Sequence, residues 1–273
     1  MNRFAIGRAE AGGPGLLVIA GPCVVEGADS CLEVATRLEA LCAERGLPYV
    51  FKASYRKANR SSARSFAGLG SDEALGILDY VKREAGVPVL TDVHEVAEVA
   101  AAAEVADVLQ IPAFLCRQTA LLQAEARTGR AVNVKKGQFL APGDMKHVVE
   151  KVRLAGGERI LLTERGTSFG YGDLVVDMRG LVLMRELGWP VVFDATHSLQ
   201  RPGGAETGGD RRFAVPLMRA AVACGVDGIF FECHPDPARA LSDSATQLPL
   251  AEAAAFLDQA ARARAAAGER ADA

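Results

Sequence analysis

The sequence predicts a single (β/α)8 barrel with a small N-terminal extension, and three observations carry that prediction. Eight short runs rich in Val, Ile, Leu or Phe recur along the chain, each followed by a segment of helical composition. The runs read as apolar on both faces, as parallel strands sandwiched between layers do. The length of 273 residues suits one barrel, a fold of about 250 residues, better than two domains.

The strand candidates are Leu16–Cys23, Tyr49–Ser54, Val87–Val93, Val108–Pro112, Ala131–Gly137, Arg159–Arg165, Val191–His197 and Gly228–His234. Helical composition follows over Ser30–Glu44, Asp72–Glu84, Glu95–Glu104, Arg117–Thr128, Gly143–Ala155, Leu174–Leu187, Arg212–Cys224 and Leu250–Ala267. Gly or Pro punctuates many helix-to-strand turns, as at Gly46, Gly86, Gly129, Gly156 and Gly188. A doubly wound open sheet is the structural competitor, but no GxGxxG follows the first strand. Residues 1–15 form the extension, either a small element capping the barrel bottom or a partly disordered arm. The barrel then spans 16–267, and 268–273 are a fraying tail.

Composition excludes some classes. A net charge of -3 gives no reason to expect nucleic acid, so anionic ligands would have to be drawn in by local basic groups. Six scattered cysteines show neither paired zinc-knuckle spacing nor a secreted disulfide scaffold. No run approaches the roughly 18 apolar residues of a membrane span, and Leu16–Ala20 is too short for a signal-peptide core. The expected setting is cytoplasmic, with small-molecule partners and no membrane.

The strongest functional signal is positional. Strand ends carry Cys23, Lys52, Asp92, Lys135, Arg165, His197 and Glu232, with Gln110 inside the fourth strand. In a barrel these ends open onto one face, where active sites sit. By alternation Asn133 and Lys135 share one side, as do Phe193, Ala195 and His197, although parity leaves open which side is inward. Cys23, His197 and Glu232, with Asp243 in the loop beyond, offer mixed S, N and O ligands for a divalent transition ion such as zinc, iron or manganese. The rival is a cysteine nucleophile with His197 as base and Asp243 or Asp194 orienting it. The basic set Lys52, Lys57, Arg60, Lys135 and Arg165 suits a doubly phosphorylated transition state better than plain hydrolysis. A non-catalytic barrel would lack such a set.

Lys57-Ala58-Asn59-Arg60-Ser61-Ser62 resembles the signature of the 3-deoxy-D-manno-octulosonate 8-phosphate synthases. Ala20-Gly21-Pro22-Cys23, Thr91-Asp92-Val93-His94-Glu95, Gln110 to Arg117, Asn133 to Phe139, Thr163 to Tyr171, Phe193 to Ser198, Glu232 to Pro237, Ala240 to Asp243 and Thr246 to Leu250 extend the resemblance from about Gly21 to Leu250. Cys23, where metal-independent members place Asn, resembles the metal-dependent class. Cys233 departs from the Thr more usual there. The related 3-deoxy-D-arabino-heptulosonate 7-phosphate synthases, which use erythrose 4-phosphate and carry Lys-Pro-Arg in the basic loop, are the alternative.

The resemblance implies condensation of phosphoenolpyruvate with D-arabinose 5-phosphate and water. It places Lys52, Lys57, Gln110, Lys135, Arg165 and His197 on phosphoenolpyruvate, and Asn59, Arg60, Ser61, Asp92 and Arg117 on the aldose. It assigns Cys23, His197, Glu232 and Asp243 to the metal, with Lys57, His197, Cys23 and Asp243 closest to the chemistry and no organic cofactor. It also implies a homotetramer in which Arg117 completes the site, in its own or a neighbouring subunit. Arg201 to Arg211, with four glycines, is expected to be a lid. His94 is expected to cap the helix after the third strand, His147 to be exposed, and Asp236 and Arg239 to stabilise the loop after the eighth.

Overall fold

In the computed structural model, which describes residues 1–58, 66–202 and 208–268, eight parallel strands close on themselves. They are β1 (Leu17–Gly21), β2 (Tyr49–Lys52), β3 (Val89–Asp92), β4 (Val108–Ile111), β5 (Ala131–Lys135), β6 (Ile160–Glu164), β7 (Val191–Asp194) and β8 (Gly228–His234). Each pairs with its sequence neighbours, and β8 pairs with β1, so no barrel edge is left open. Gly21 permits the tight join of β1 and β2: a Cβ there would collide with the Lys52 carbonyl oxygen.

The helices are α1 (Ala28–Ala43), α2 (Ser71–Ala85), α3 (Val99–Val105), α4 (Thr119–Arg127), α5 (Met145–Leu154), α6 (Met178–Arg185), α7 (Ala214–Ala223) and α8 (Ala253–Gly268). Their apolar residues fall at helical spacing and turn inward, as Cys31, Val34, Ala35, Leu38 and Cys42 do in α1. α2 opens on Asp72 and Glu73, closes on Lys82 and Arg83, and stops at left-handed Gly86, an order that suits the helix dipole and ends the helix where a Cβ would be strained.

Parity splits the core into two clusters. Val18, Phe51, Val89, Leu109, Val132, Ile160, Val191 and Phe231 pack outward under the helices. Leu17, Ile19, Val50, Leu90, Val108, Ala131, Leu161, Val192 and Phe230 point into the barrel, joined by Ile6, Ala9 and Ala11. Those last three come from an antiparallel hairpin, Phe4–Ile6 with Ala9–Ala11, that plugs the barrel bottom. The N-terminal extension is therefore an ordered cap. At the same end Asp107 accepts from Lys82 Nζ (2.8 Å) and the Val89 amide (2.9 Å). Asp227 likewise accepts from Arg185 and the Val191 amide. These carboxylates, half-buried at Asp107 and buried at Asp227, tie strand starts to the helix layer, far from the open mouth.

Several sequence boundaries need correction. Leu174–Leu187 is not one helix: Thr167–Phe169 and Asp173–Val175 form a hairpin beyond β6, and α6 begins only at Met178, capped by Asp177. β7 stops at Asp194, so His197 is not on a strand with Phe193; it opens a 3-10 turn, His197–Leu199. His94 makes no cap among the described residues; Glu95 and Glu98 make the reciprocal capping box there. His147 is exposed, as expected. Asp236 steadies the loop after β8 by accepting from the Ala238 amide. The predicted lid has a two-residue ladder at its base, Gln200–Arg201 with Gly208–Gly209; positions 203–207 lie outside the described residues, as do tail positions 269–273.

Candidate active site

Inward parity carries Lys52, Asp92, Gln110, Lys135 and Glu232 to the upper end of the barrel, directly above the apolar inner cluster. Asn133 and Thr163 lie one inward step below Lys135 and Arg165. Lys136 faces outward and is held by Glu164, Thr167 and the carbonyls of Gly137 and Leu140. Of the two adjacent lysines, Lys135 is therefore the one that faces into the barrel.

The centre is acidic and sulfur-bearing. Ligand atoms of Cys23, Glu232 and Asp243 all lie within 4.8 Å of one another. The Cys23 thiol sits 3.1 Å from Asp243 Oδ2 and 2.9 Å from Ser242 Oγ. His197 stands at the edge, its Nε2 3.6 Å from Glu232 Oε1 and its Nδ1 2.9 Å from Asp194 Oδ2. Glu232 Oε2 is buried with no hydrogen-bond partner among the described residues. An orphaned carboxylate oxygen beside a thiol and a second carboxylate fits a divalent cation, and the Asp194 contact would fix the histidine tautomer from behind. Asp243 takes a positive φ of 48°, a backbone conformation non-glycine residues adopt mainly where the surroundings enforce it. Gln200 Nε2 donates to its other oxygen at 3.1 Å.

Around this group stand the cations. Lys52 Nζ pairs with Glu232 Oε1 and donates to the Cys23 carbonyl at 2.9 Å. Lys135 Nζ binds Asp194 Oδ2 at 2.6 Å and sits 3.7 Å from the Phe230 ring centroid. Arg165 Nη2 donates to Gln200 at 2.6 Å, while its buried Nη1 has no partner among the described residues. Lys57 Nζ donates to Ser54 Oγ at 2.9 Å.

These charges set one another's titration. Burial opposes ionisation of Glu232, but Lys52 and then His197 outweigh it and hold the carboxyl at about 2. Burial likewise opposes the charged Asp194, and His197 and Lys135 hold it well below the carboxylate range. Burial works against the Lys57 ammonium, yet Cys23, Asp92 and Glu232 keep it above the ordinary lysine value. Burial pushes the Cys23 thiol well up, with Glu232 adding to it. A bound cation would reverse that last shift, since a coordinating thiol is deprotonated outright.

Cys23, Lys52, Lys57, Asp92, Gln110, Lys135, Arg165, His197, Glu232 and Asp243 are thus brought to one end of one barrel. Arg117 stays outside this buried group: it is exposed on the turn after β4 and makes no ion pair among the described residues. Asn59, Arg60 and Ser61 lie outside the described residues. Cys23 and His197 share no hydrogen bond among the described residues, so the thiol–imidazole pair of a cysteine hydrolase is not formed. Residue-by-residue reading missed Ser54, Gln200 and Ser242 as site neighbours, and gave Asn133 and Thr163 no role. The last two could have been found from parity, two positions before Lys135 and Arg165.

A profile of the DAHP synthetase I family matches residues 5–266. The chain belongs to that family. It is 58% identical over 259 residues to a protein of Trichlorobacter lovleyi named 2-dehydro-3-deoxyphosphooctonate aldolase, covering 94% of this chain and 95% of that one. Proteins of the same name from Syntrophotalea carbinolica and a Synechococcus species are 60% and 55% identical. The first match covers 85% of both chains; the second covers 98% of this chain and 94% of the relative. Family membership accounts for the order of the motifs along the barrel.

Proposed function

We propose that the chain condenses phosphoenolpyruvate with D-arabinose 5-phosphate and water to give 3-deoxy-D-manno-octulosonate 8-phosphate and phosphate. The observation that carries this reading is the barrel mouth, where Lys52, Lys57, Lys135 and Arg165 surround the Cys23–Glu232–Asp243 group. Two anionic substrates repel each other, and fixed cations in a water-poor pocket reduce that repulsion without reorganising. Relatives at 55–60% identity, all named 2-dehydro-3-deoxyphosphooctonate aldolase, support the octulosonate over the heptulosonate. So does the Lys57-Ala58-Asn59-Arg60 loop.

In this reading C3 of phosphoenolpyruvate bonds to the aldehyde carbon, water adds at C2, and phosphate leaves with C–O cleavage. Arg165, whose Nη1 has no partner among the described residues, and Lys135 would hold phosphoenolpyruvate. Lys57 would stand near the aldehyde oxygen as a cation and proton donor, and Asp92 and Gln110 would hold the basic groups in place. Asn59, Arg60 and Ser61 would take the aldose phosphate. Cys23, His197, Glu232 and Asp243 would hold a divalent transition ion, which when bound supplies Lewis acidity at a substrate or water oxygen. Asp194 would keep the His197 Nε2 lone pair available.

The protein would work as a homotetramer in the cytoplasm. Exposed Phe114, Phe139 and Phe169, on the loops after β4, β5 and β6, support burial against another copy, with Arg117 reaching a neighbouring site. No helix among the described residues is long and apolar enough to cross a membrane. A phosphate-release assay tests the substrate claim. Arabinose 5-phosphate should drive release from phosphoenolpyruvate and erythrose 4-phosphate should not; the opposite preference would favour the heptulosonate alternative.

A further inference from the structure

Just below the cationic ring, hydrogen bonds run from strand to strand in one direction. The Thr163 hydroxyl on β6 donates to Asn133 Oδ1 on β5 at 2.6 Å. Asn133 Nδ2 donates to Gln110 Oε1 on β4 at 2.8 Å. Gln110 Nε2 donates to Asp92 Oδ1 on β3 at 2.6 Å. From the other side Ser54 Oγ donates to Asp92 Oδ2 at 2.8 Å, and Lys57 Nζ donates to that same Ser54 oxygen at 2.9 Å. Asp92 faces Gln110 and Gln110 faces Asn133 in the ladder register, so the line follows the barrel wall.

The direction of this line is forced. All its members except half-buried Lys57 are buried, with Thr163, Asn133 and Ser54 fully so. An ionised carboxylate can only accept, so Gln110 must turn its NH2 to Asp92. Its carbonyl then faces Asn133, which must present NH2 in turn. The Asn133 carbonyl is left for Thr163, whose hydroxyl supplies the terminal donor. If Thr163 could not donate, the Asn133 carbonyl would be buried without that partner, and the line of amides whose direction Asp92 sets would lose the bond that anchors its far end.

We propose that Thr163 and Asn133 are positioning residues for the condensation: they hold Gln110 as a donor to Asp92, and so fix the carboxylate that, through Ser54, aims Lys57 at the mouth. Neither residue needs to touch substrate. This rests on the reading of Lys57 as a substrate-facing cation, so the test has one arm that needs no substrate. Thr163→Val keeps the side-chain shape and removes the donor; Thr163→Ser keeps the donor.

The relay predicts that Thr163→Val lowers kcat about ten-fold, the effect of weakening one buried network bond, with KM for both substrates nearly unchanged. Thr163→Ser should restore kcat. Adding Asn133→Ala to Thr163→Val should reduce kcat little further, because both changes break one line. In the substrate-free protein, NMR exchange of the Asn133 and Gln110 side-chain amide protons should be slow in wild type and Thr163→Ser. It should be faster by about ten-fold in Thr163→Val. Unchanged amide exchange in Thr163→Val would overturn the relay whatever the enzyme's substrate. Faster exchange with unchanged kcat would overturn its positioning role, provided wild type turns over arabinose 5-phosphate. If wild type does not, the substrate assignment fails instead, and amide exchange still decides the relay.

Discussion

Replacing Lys52 by Met should destabilise the metal-free protein in a strongly pH-dependent way. Lys52 and Glu232 form an ion pair that is almost completely buried, with side-chain exposures of 1% and 0%. Removing the ammonium leaves a carboxylate that must keep its charge or take a proton. A carboxyl that titrates near 4.5 in the unfolded chain costs about 3.4 kcal/mol to protonate at pH 7, which sets a ceiling on the electrostatic loss. His197, Lys57 and Lys135 remain nearby and reduce it, while the lost hydrogen bond to the Cys23 carbonyl adds about 1 kcal/mol. The expected loss is therefore about 3–4 kcal/mol at pH 7, within the range for breaking a buried pair. The sign of the pH effect follows from the depressed Glu232 value. In the wild type its stabilisation is present above about 4.5 and is lost as pH falls through about 2. In the variant, protonation becomes cheaper as pH falls, so the loss should shrink to roughly 2 kcal/mol at pH 5.5. Urea unfolding of metal-stripped protein at fixed concentration measures both values. A loss below about 1 kcal/mol at pH 7, or an equal loss at both pH values, would refute the electrostatic argument.

Other parts of the fold make separate predictions. Glu125 in α4 is buried with neither carboxylate oxygen hydrogen-bonded among the described residues, and burial raises its titration well above the ordinary value. Glu125→Met should stabilise the protein by about 1–3 kcal/mol in thermal unfolding. The gain should be larger at pH 8 than at pH 5, because the folded carboxyl's stability contribution falls as pH rises above its unfolded value; a destabilised variant would contradict this. At the barrel bottom, Asp227→Asn should cost about 2–3 kcal/mol by weakening the Arg185 ion pair and the Val191 contact, yet leave kcat unchanged. A large kcat loss would show that this end of the barrel bears on the chemistry.

The sequence made the barrel legible because each strand is a short, doubly apolar run and each helix carries its own inward stripe. Element ends were less legible. Thr167–Phe169 and Asp173–Val175 pair through a tight loop, but Leu174 to Leu187 is apolar enough at helical spacing to read as one helix. His197 stands beside Glu232, but strand parity does not place it there, because β7 ends at Asp194 and a 3-10 turn redirects the chain. The charged strand-end residues stood out because charge inside an apolar run is costly without a partner. Asn133, Thr163, Ser54 and Gln200 did not stand out. Their importance depends on which side of a strand faces inward and which strands are neighbours, and both emerge only when the barrel closes.

Cys23, with His197, Glu232 and Asp243, is proposed to bind a divalent ion that the condensation requires. Cobalt(II) titration of chelator-stripped protein tests it most directly, with thiolate-to-cobalt charge-transfer absorption and phosphate release followed on the same samples. One equivalent should bind per chain, with a charge-transfer band and activity rising in step with it. Cys23→Asn and Cys23→Ala should show no band, with weakened metal dependence in the first and lost activity in the second. Full activity in metal-stripped wild type, or binding with no thiolate band, would contradict it.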